Sequence, residues 1–224
     1  KNLDFSLIAA KEGVIFDGGG PVSKLTIASN THVRFVVVVT GRAAHAGVEP
    51  EMGISAIKIA SEIIAELPQG RIDEETTLNV GTINGGTVRN AVPESTSFAG
   101  EFRSRNTQTL ERIRHQVLDI FKAAQQKYPE ADIHEEMEVQ YQMYSLSEDN
   151  QVVKRVSRAI TALNMKPELG ASGGGTDANI FNLHGISSVV VGMAAQDMHT
   201  TREHLEVGDL LNVARFCFEL LTTG

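Results

Sequence analysis

The segment THVRFVVVVT, Thr31 to Thr40, constrains the fold more than any other stretch of the chain. Its β-branched residues form an almost unbroken apolar run, as expected of a central strand, and Gly41 ends it before a polar loop. Pro50 and Gly53 then open a helix. In Ile54 to Leu67 the residues Ile57, Ile59, Ala60, Ile63, Ile64 and Leu67 recur at helical spacing, and Pro68 with Gly70 stops the element. Two strands follow, Thr76 to Ile83 and Thr96 to Phe102, with Asn84-Gly85-Gly86 supplying a turn between them as expected for paired neighbours. A second helix, Gln108 to Lys127, aligns Leu110, Ile113, Val117, Ile120 and Phe121 on one face. Tyr128-Pro129 ends it ahead of a strand from Asp132 to Tyr141.

That order, βαββαβ, is the split βαβ or ferredoxin-like layout: a four-stranded antiparallel sheet with two helices on one face, complete within residues 31–143. The flanks differ in character. Val152 to Leu163 and Val207 to Leu221 have helical periodicity, and Ser187 to Val191 is a short continuous apolar run of the kind buried in α/β sheets. An α/β domain interrupted by the βαββαβ unit accounts for the shared character of the first ~30 and last ~80 residues.

Composition excludes several classes of function. A net charge of −8, with Lys and Arg scattered, offers no stripe to track a nucleic-acid backbone. No apolar stretch reaches the ~20 residues that span a bilayer, and the first residues lack the form of a signal peptide. The single cysteine, Cys217, lies in the apolar run 214–218, expected to be a buried helical face, and cannot form an internal disulfide; a reducing cytoplasm is the expected compartment.

Few residues invite chemistry one at a time. Asp17, in Phe16-Asp17-Gly18-Gly19-Gly20 after Val14-Ile15, stands at the C-terminal end of a strand, where open α/β sheets place ligands; alone it is more simply the start of a turn. The stretch Ser172-Gly173-Gly174-Gly175-Thr176-Asp177 has glycines that let backbone N–H groups approach an anion, and Thr176 begins a helix with a free N-terminus. A nucleotide loop would need Lys after Gly175, where this chain has Thr176, which argues against a nucleotide and is compatible with a carboxylate. His45 sits among alanines and glycines in a loop, and His199 follows the apolar Val189-Val190-Val191 by a few residues; each alone is an ordinary histidine. Asn90, ahead of Val92-Pro93, and Arg103 could together hold a carboxylate, or could be an exposed turn and a surface Arg. His32, His115, His134, His184 and His204 lack metal-ligand spacing, and the runs Asp73-Glu74-Glu75 and Glu135-Glu136 fit solvated faces. The sequence contains no HExxH or CxxC motif.

Taken in order, FDGGG at 16–20, GRAAHAG at 41–47, NAVPE at 90–94, EFRS at 101–104, SGGGTDANIF at 172–181 and MHTTRE at 198–203 resemble the landmarks of the M20-type dizinc peptidase and aminoacylase family, its peptidase T-like branch above all. The resemblance covers essentially the whole chain. It implies that residues 31–143 are a ferredoxin-like lid and dimerisation domain, and that residues 1–30 with 144–224 are the C-terminal part of a zinc-exopeptidase α/β catalytic domain. Carried over by position, it makes Asp17 a ligand of one zinc and His199 a ligand of the other. His45 becomes the lid histidine that polarises the scissile carbonyl, often in the partner subunit's site. Asn90 and Arg103 become holders of the substrate carboxylate, with Gly173, Gly174, Gly175 and Thr176 lining the same pocket.

The activity implied is hydrolysis of short peptides by a tripeptidase or aminopeptidase. Acting as a homodimer, such an enzyme uses a metal-activated water. A related N-acyl amino acid amidohydrolase and a non-catalytic dimerisation module are the alternatives. The family's first zinc-binding His, bridging Asp and Glu pair precede the position of Asp17 and have no counterpart here. This chain is therefore expected to be a truncated or proteolytic fragment, to bind zinc poorly and to hydrolyse nothing by itself, since one protein ligand per ion cannot close a tetrahedral site.

Overall fold

The structure is a computed structural model that describes residues 3–222. It contains two compact units, one formed by Thr31–Gln140 and the other by the segments on either side of it. The flanking unit begins with strands β1 (Glu12–Gly18) and β2 (Lys24–Ser29). The inserted unit then runs through β3 (Thr31–Thr40), α1 (Ala56–Glu66), β4 (Gly70–Arg71), β5 (Thr76–Gly85), β6 (Ser95–Ser104), α2 (Thr107–Lys127) and β7 (Asp132–Tyr141), whose last residue, Tyr141, belongs to the flanking unit. The chain returns to the flanking unit with β8 (Tyr144–Ser145), α3 (Gln151–Ala162), β9 (Glu168–Ser172), α4 (Asp177–Leu183), β10 (Ser187–Gly192) and α5 (Val207–Thr222).

In the inserted unit the sheet order is β4-β5-β6-β3-β7. The expected four strands are present, joined by the two-residue strand β4, which pairs antiparallel with β5 as Gly70↔Leu78 and Arg71↔Thr77. Strands β3 and β6 run antiparallel from Thr31↔Ser104 to Thr40↔Ser95. Alternation sets the two faces. Val33, Phe35, Val37 and Val39 point into the core with Phe98 and Phe102, whereas His32, Arg34 and Arg103 point away from it. The inward face is covered by Ile59, Ala60 and Ile63 of α1 and by Leu110, Ile113, Val117 and Phe121 of α2. Both helices start on a side-chain cap, Ser55 accepting from Lys58 N and Asn106 from Thr109 N.

The flanking unit has a mixed sheet in the order β1-β10-β2-β8, with β9 also on β2. β1 is parallel to β10, β10 antiparallel to β2, and β9 parallel to β2. Its core joins Val22 and Leu25 to Val152, Val153, Val156 and Ile160 of α3, Val189 and Val191 of β10, and Val213 and Phe216 of α5. The expected burial of the run 214–218 is corrected: Phe216 is buried and Cys217 half-buried, while Phe218 is 69% exposed, because only one stripe of α5 faces the sheet. Among the described residues no helix is long and apolar enough to cross a membrane.

Candidate functional site

Strand β1 carries Asp17 one residue from its C-terminal end. The parallel strand β10 ends alongside it, with Gly18 opposite Gly192, so the loop after β10 starts at the same sheet edge. That loop has an uncommon backbone. Ala194, Asp197 and His199 all have positive φ, and His199, at φ 65°, donates its N–H to Glu203 Oε2 at 3.0 Å. A carboxylate four residues downstream thereby holds the histidine in a conformation that non-glycine residues seldom adopt.

The glycine loop approaches the same place from β9. Ser29 Oγ donates to the Gly174 carbonyl at 2.8 Å and Asn30 Nδ2 to the Gly173 carbonyl at 2.7 Å, tying the loop to the end of β2. A Cβ on Gly175 would collide with the ring of Tyr141, so that position admits only glycine unless the ring moves. The expectation of a free helix N-terminus at Thr176 is corrected. Thr176 Oγ1 accepts from Ala178 N at 3.2 Å and Asn179 Oδ1 accepts from Thr176 N at 3.0 Å, so the start of α4, a helix of seven residues, is capped by its own side chains.

Asp17, Gly174, Gly175, Thr176 and His199 line one cavity of about 390 Å³ in the flanking unit. Sequence reasoning overlooked Glu203, Ser172 and Tyr144 in the same wall. Glu203 was legible as the last residue of MHTTRE. Tyr144 was not, since its place in the wall comes from the pairing of β8 with β2. Burial pushes the Tyr144 phenol up to about 12, so it stays protonated at neutral pH. Asp17 and His199 do not amount to a metal site: among the described residues no three His, Cys, Asp or Glu side chains lie close enough together to hold an ion. The residues present therefore do not by themselves fit the zinc pair that the resemblance implies.

The other three candidates belong to the inserted unit. His45 is exposed in the loop after β3, and its Nδ1 accepts from Gly47 N at 3.2 Å. A neutral imidazole so held carries its proton on Nε2, leaving an N–H donor on the outer side of the ring. The loop is stitched to the segment before β6 by Val92 N to the Ala44 carbonyl at 2.9 Å and Ala46 N to the Asn90 carbonyl at 3.0 Å, which makes His45 and Asn90 neighbours. Arg103 lies at the other end of β6, opposite His32. From Ser95 to Arg103 the strand rises about 27 Å at roughly 3.4 Å per residue. Within one copy of this unit, Asn90 and Arg103 are thus not brought together. Glu101 Oε1 accepts from Arg103 Nε at 2.8 Å, and Glu101 Oε2 lies 2.9 Å from His32 Nε2. Burial, followed by the Arg103 charge, lowers the His32 pKa and favours its neutral form.

A model of the peptidase dimerisation domain of the M20 peptidases matches residues 27–129. The uncharacterized protein YqjE of Bacillus subtilis (strain 168) is 36% identical over 222 residues, which cover 99% of this chain and 59% of that protein. Among solved structures, aminopeptidase PepT from Bacillus cereus superposes with a TM-score of 0.88 at 34% identity, covering 98% of this chain and 58% of that one. A tripeptidase from Staphylococcus aureus superposes at 0.93 with 27% identity, covering 99% and 59%. The chain thus spans 59% or less of the length of these relatives. With the inserted sheet, the ordered motifs and these likenesses in agreement, the chain is similar along its length to the M20 peptidases and is peptidase T-like.

Proposed function

We propose that this chain is part of a zinc-dependent exopeptidase of the tripeptidase or aminopeptidase type, working as a homodimer on short peptides. The observation that carries the reading is the convergence of Asp17, His199 and the Gly174–Thr176 turn on one cavity at the C-terminal ends of β1 and β10. Asp17 and His199 would each give one ligand to a zinc ion. The described residues do not close either ion's shell, so the roles assigned to this chain's own groups are binding and orientation.

The carboxyl end of the peptide is assigned to Arg103, whose planar fork suits a carboxylate, and carbonyl hydrogen bonding to the outward Nε2–H of His45. An extended tripeptide spans roughly 11 Å. It cannot reach both ends of one β6 strand, which favours a site in which one copy supplies Arg103 and its partner supplies His45 and Asn90. Holding the chain end at a fixed distance from the scissile bond is how such a site would select short peptides.

The test compares the 224-residue chain and the full-length protein, each with zinc, on a free tripeptide, its C-terminal amide and an N-acyl amino acid. The full-length protein is expected to cleave the free tripeptide in preference to the other two, and the 224-residue chain to cleave none. Preference for the N-acyl amino acid would replace the peptidase reading with the amidohydrolase. Failure of the full-length protein on all three would leave a binding module.

A further inference from the structure

We infer that Glu101 is a positioning residue for Arg103, and through it a determinant of affinity for the free carboxyl end of a peptide. The inference rests on the assignment of Arg103 as the carboxylate-binding group. Glu101 and Arg103 are two apart on β6 and project from the same face, while Phe102 between them is buried in the core. One carboxylate oxygen, Glu101 Oε1, takes both Arg103 Nε at 2.8 Å and Arg103 Nη2 at 2.7 Å. A planar guanidinium gripped at two donors along one edge has its plane and rotamer set, and with them the direction of its other edge.

The neighbours restrict Glu101 in turn. His32 is directly across from Arg103 in the β3–β6 ladder, and its Nε2 lies against the second carboxylate oxygen. Thr77 stands opposite Arg103 on the other side, and Asn79 and Arg34 flank Glu101. The Glu101 and Arg103 side chains retain 36% and 25% of their exposure, and ion pairs this accessible contribute little to stability. Anchoring the strand is therefore a weak explanation for the pair. Its stronger consequence is preorganisation: an arginine already held in its binding rotamer loses less side-chain freedom when a ligand arrives.

The test uses the full-length protein and reads KM and kcat separately for a free tripeptide and its C-terminal amide. For Glu101→Ala the expected result is a KM for the free tripeptide raised about tenfold, with kcat within about twofold and the amide unaffected. Glu101→Gln, which keeps an acceptor oxygen, should recover part of the loss. Arg103→Ala is the control for the underlying assignment, and should abolish the discrimination between acid and amide. If Arg103→Ala leaves discrimination intact, the carboxylate assignment fails. If it abolishes discrimination while Glu101→Ala leaves KM unchanged, or lowers KM because Glu101 competes with the substrate, the positioning role is overturned. An equal fall in kcat for both substrates would also overturn it, by indicating a general structural defect. In the 224-residue chain itself, the Arg103 Nε–H resonance should be sharp and slow to exchange, and should broaden in Glu101→Ala; an unchanged resonance would contradict the restraint.

Discussion

The inserted and flanking units solve the problem of burying apolar surface in different ways. In the inserted unit each long strand alternates, one face goes under α1 and α2, and Phe35 packs with Phe98, Phe102 and Phe121 at centroid separations of 6.0–6.5 Å. The flanking unit uses shorter strands in a mixed sheet and leaves an apolar stripe along the outer side of α5, where Val207, Leu211, Phe218 and Leu221 are all more than half exposed. The comparison teaches where each unit keeps its information. The inserted unit is written in local periodicity, whereas the flanking unit depends on pairings between distant segments, such as β1 with β10.

If that contrast is right, core damage should stay within one unit. Phe35→Ala should cost about 3–5 kcal/mol and lower the unfolding transition of the inserted unit alone, as followed by hydrogen exchange of amides on β3 and β6. Equal loss of protection on β10 would mean that the two units unfold as one. In the flanking unit, Gly175→Ala forces a methyl against Tyr141 and should cost about 1–3 kcal/mol, with amide shifts confined to the glycine loop and its anchors at Ser29 and Asn30. The smallest effect is a pH dependence. His32 titrates below its ordinary value of 6.5 in the folded unit, so the unfolded chain takes up the proton first as pH falls. Stability contributed by neutral His32 is complete above about 6.5 and is lost as pH drops from there through the folded pKa. His32→Gln should flatten this acid limb in the inserted unit, measured by urea midpoints between pH 7.5 and 5, and an unchanged slope would remove His32 as its source.

Legibility in the sequence followed the same contrast. The run 31–40 and the helix ending at Lys127 coincide with β3 and the end of α2, because side-chain period and capping residues are local signals. Strands β2 and β9 were not distinguished: KLTIAS and ELGAS are short and rich in small or polar residues, and it is their parallel pairing that makes them strands. Asp17 and His199 were legible as residues, but their meeting depends on the β1–β10 register. The separation of Asn90 from Arg103 could have been read, since the strand expected from Thr96 to Phe102 lies between them and must hold them apart. Glu101 gives no signal as one of a pair of adjacent carboxylates, because on a strand the relevant neighbour is two residues away.

The most direct test of the proposed site is complementation between two impaired full-length variants, His45→Ala and Arg103→Ala, co-expressed with different tags and purified as the mixed dimer. Each variant alone should be nearly inactive on a free tripeptide. In a mixed dimer one site keeps its own Arg103 and receives His45 from the partner, so about half the wild-type rate should return. A mixed dimer no more active than the two single variants would contradict a site shared between copies.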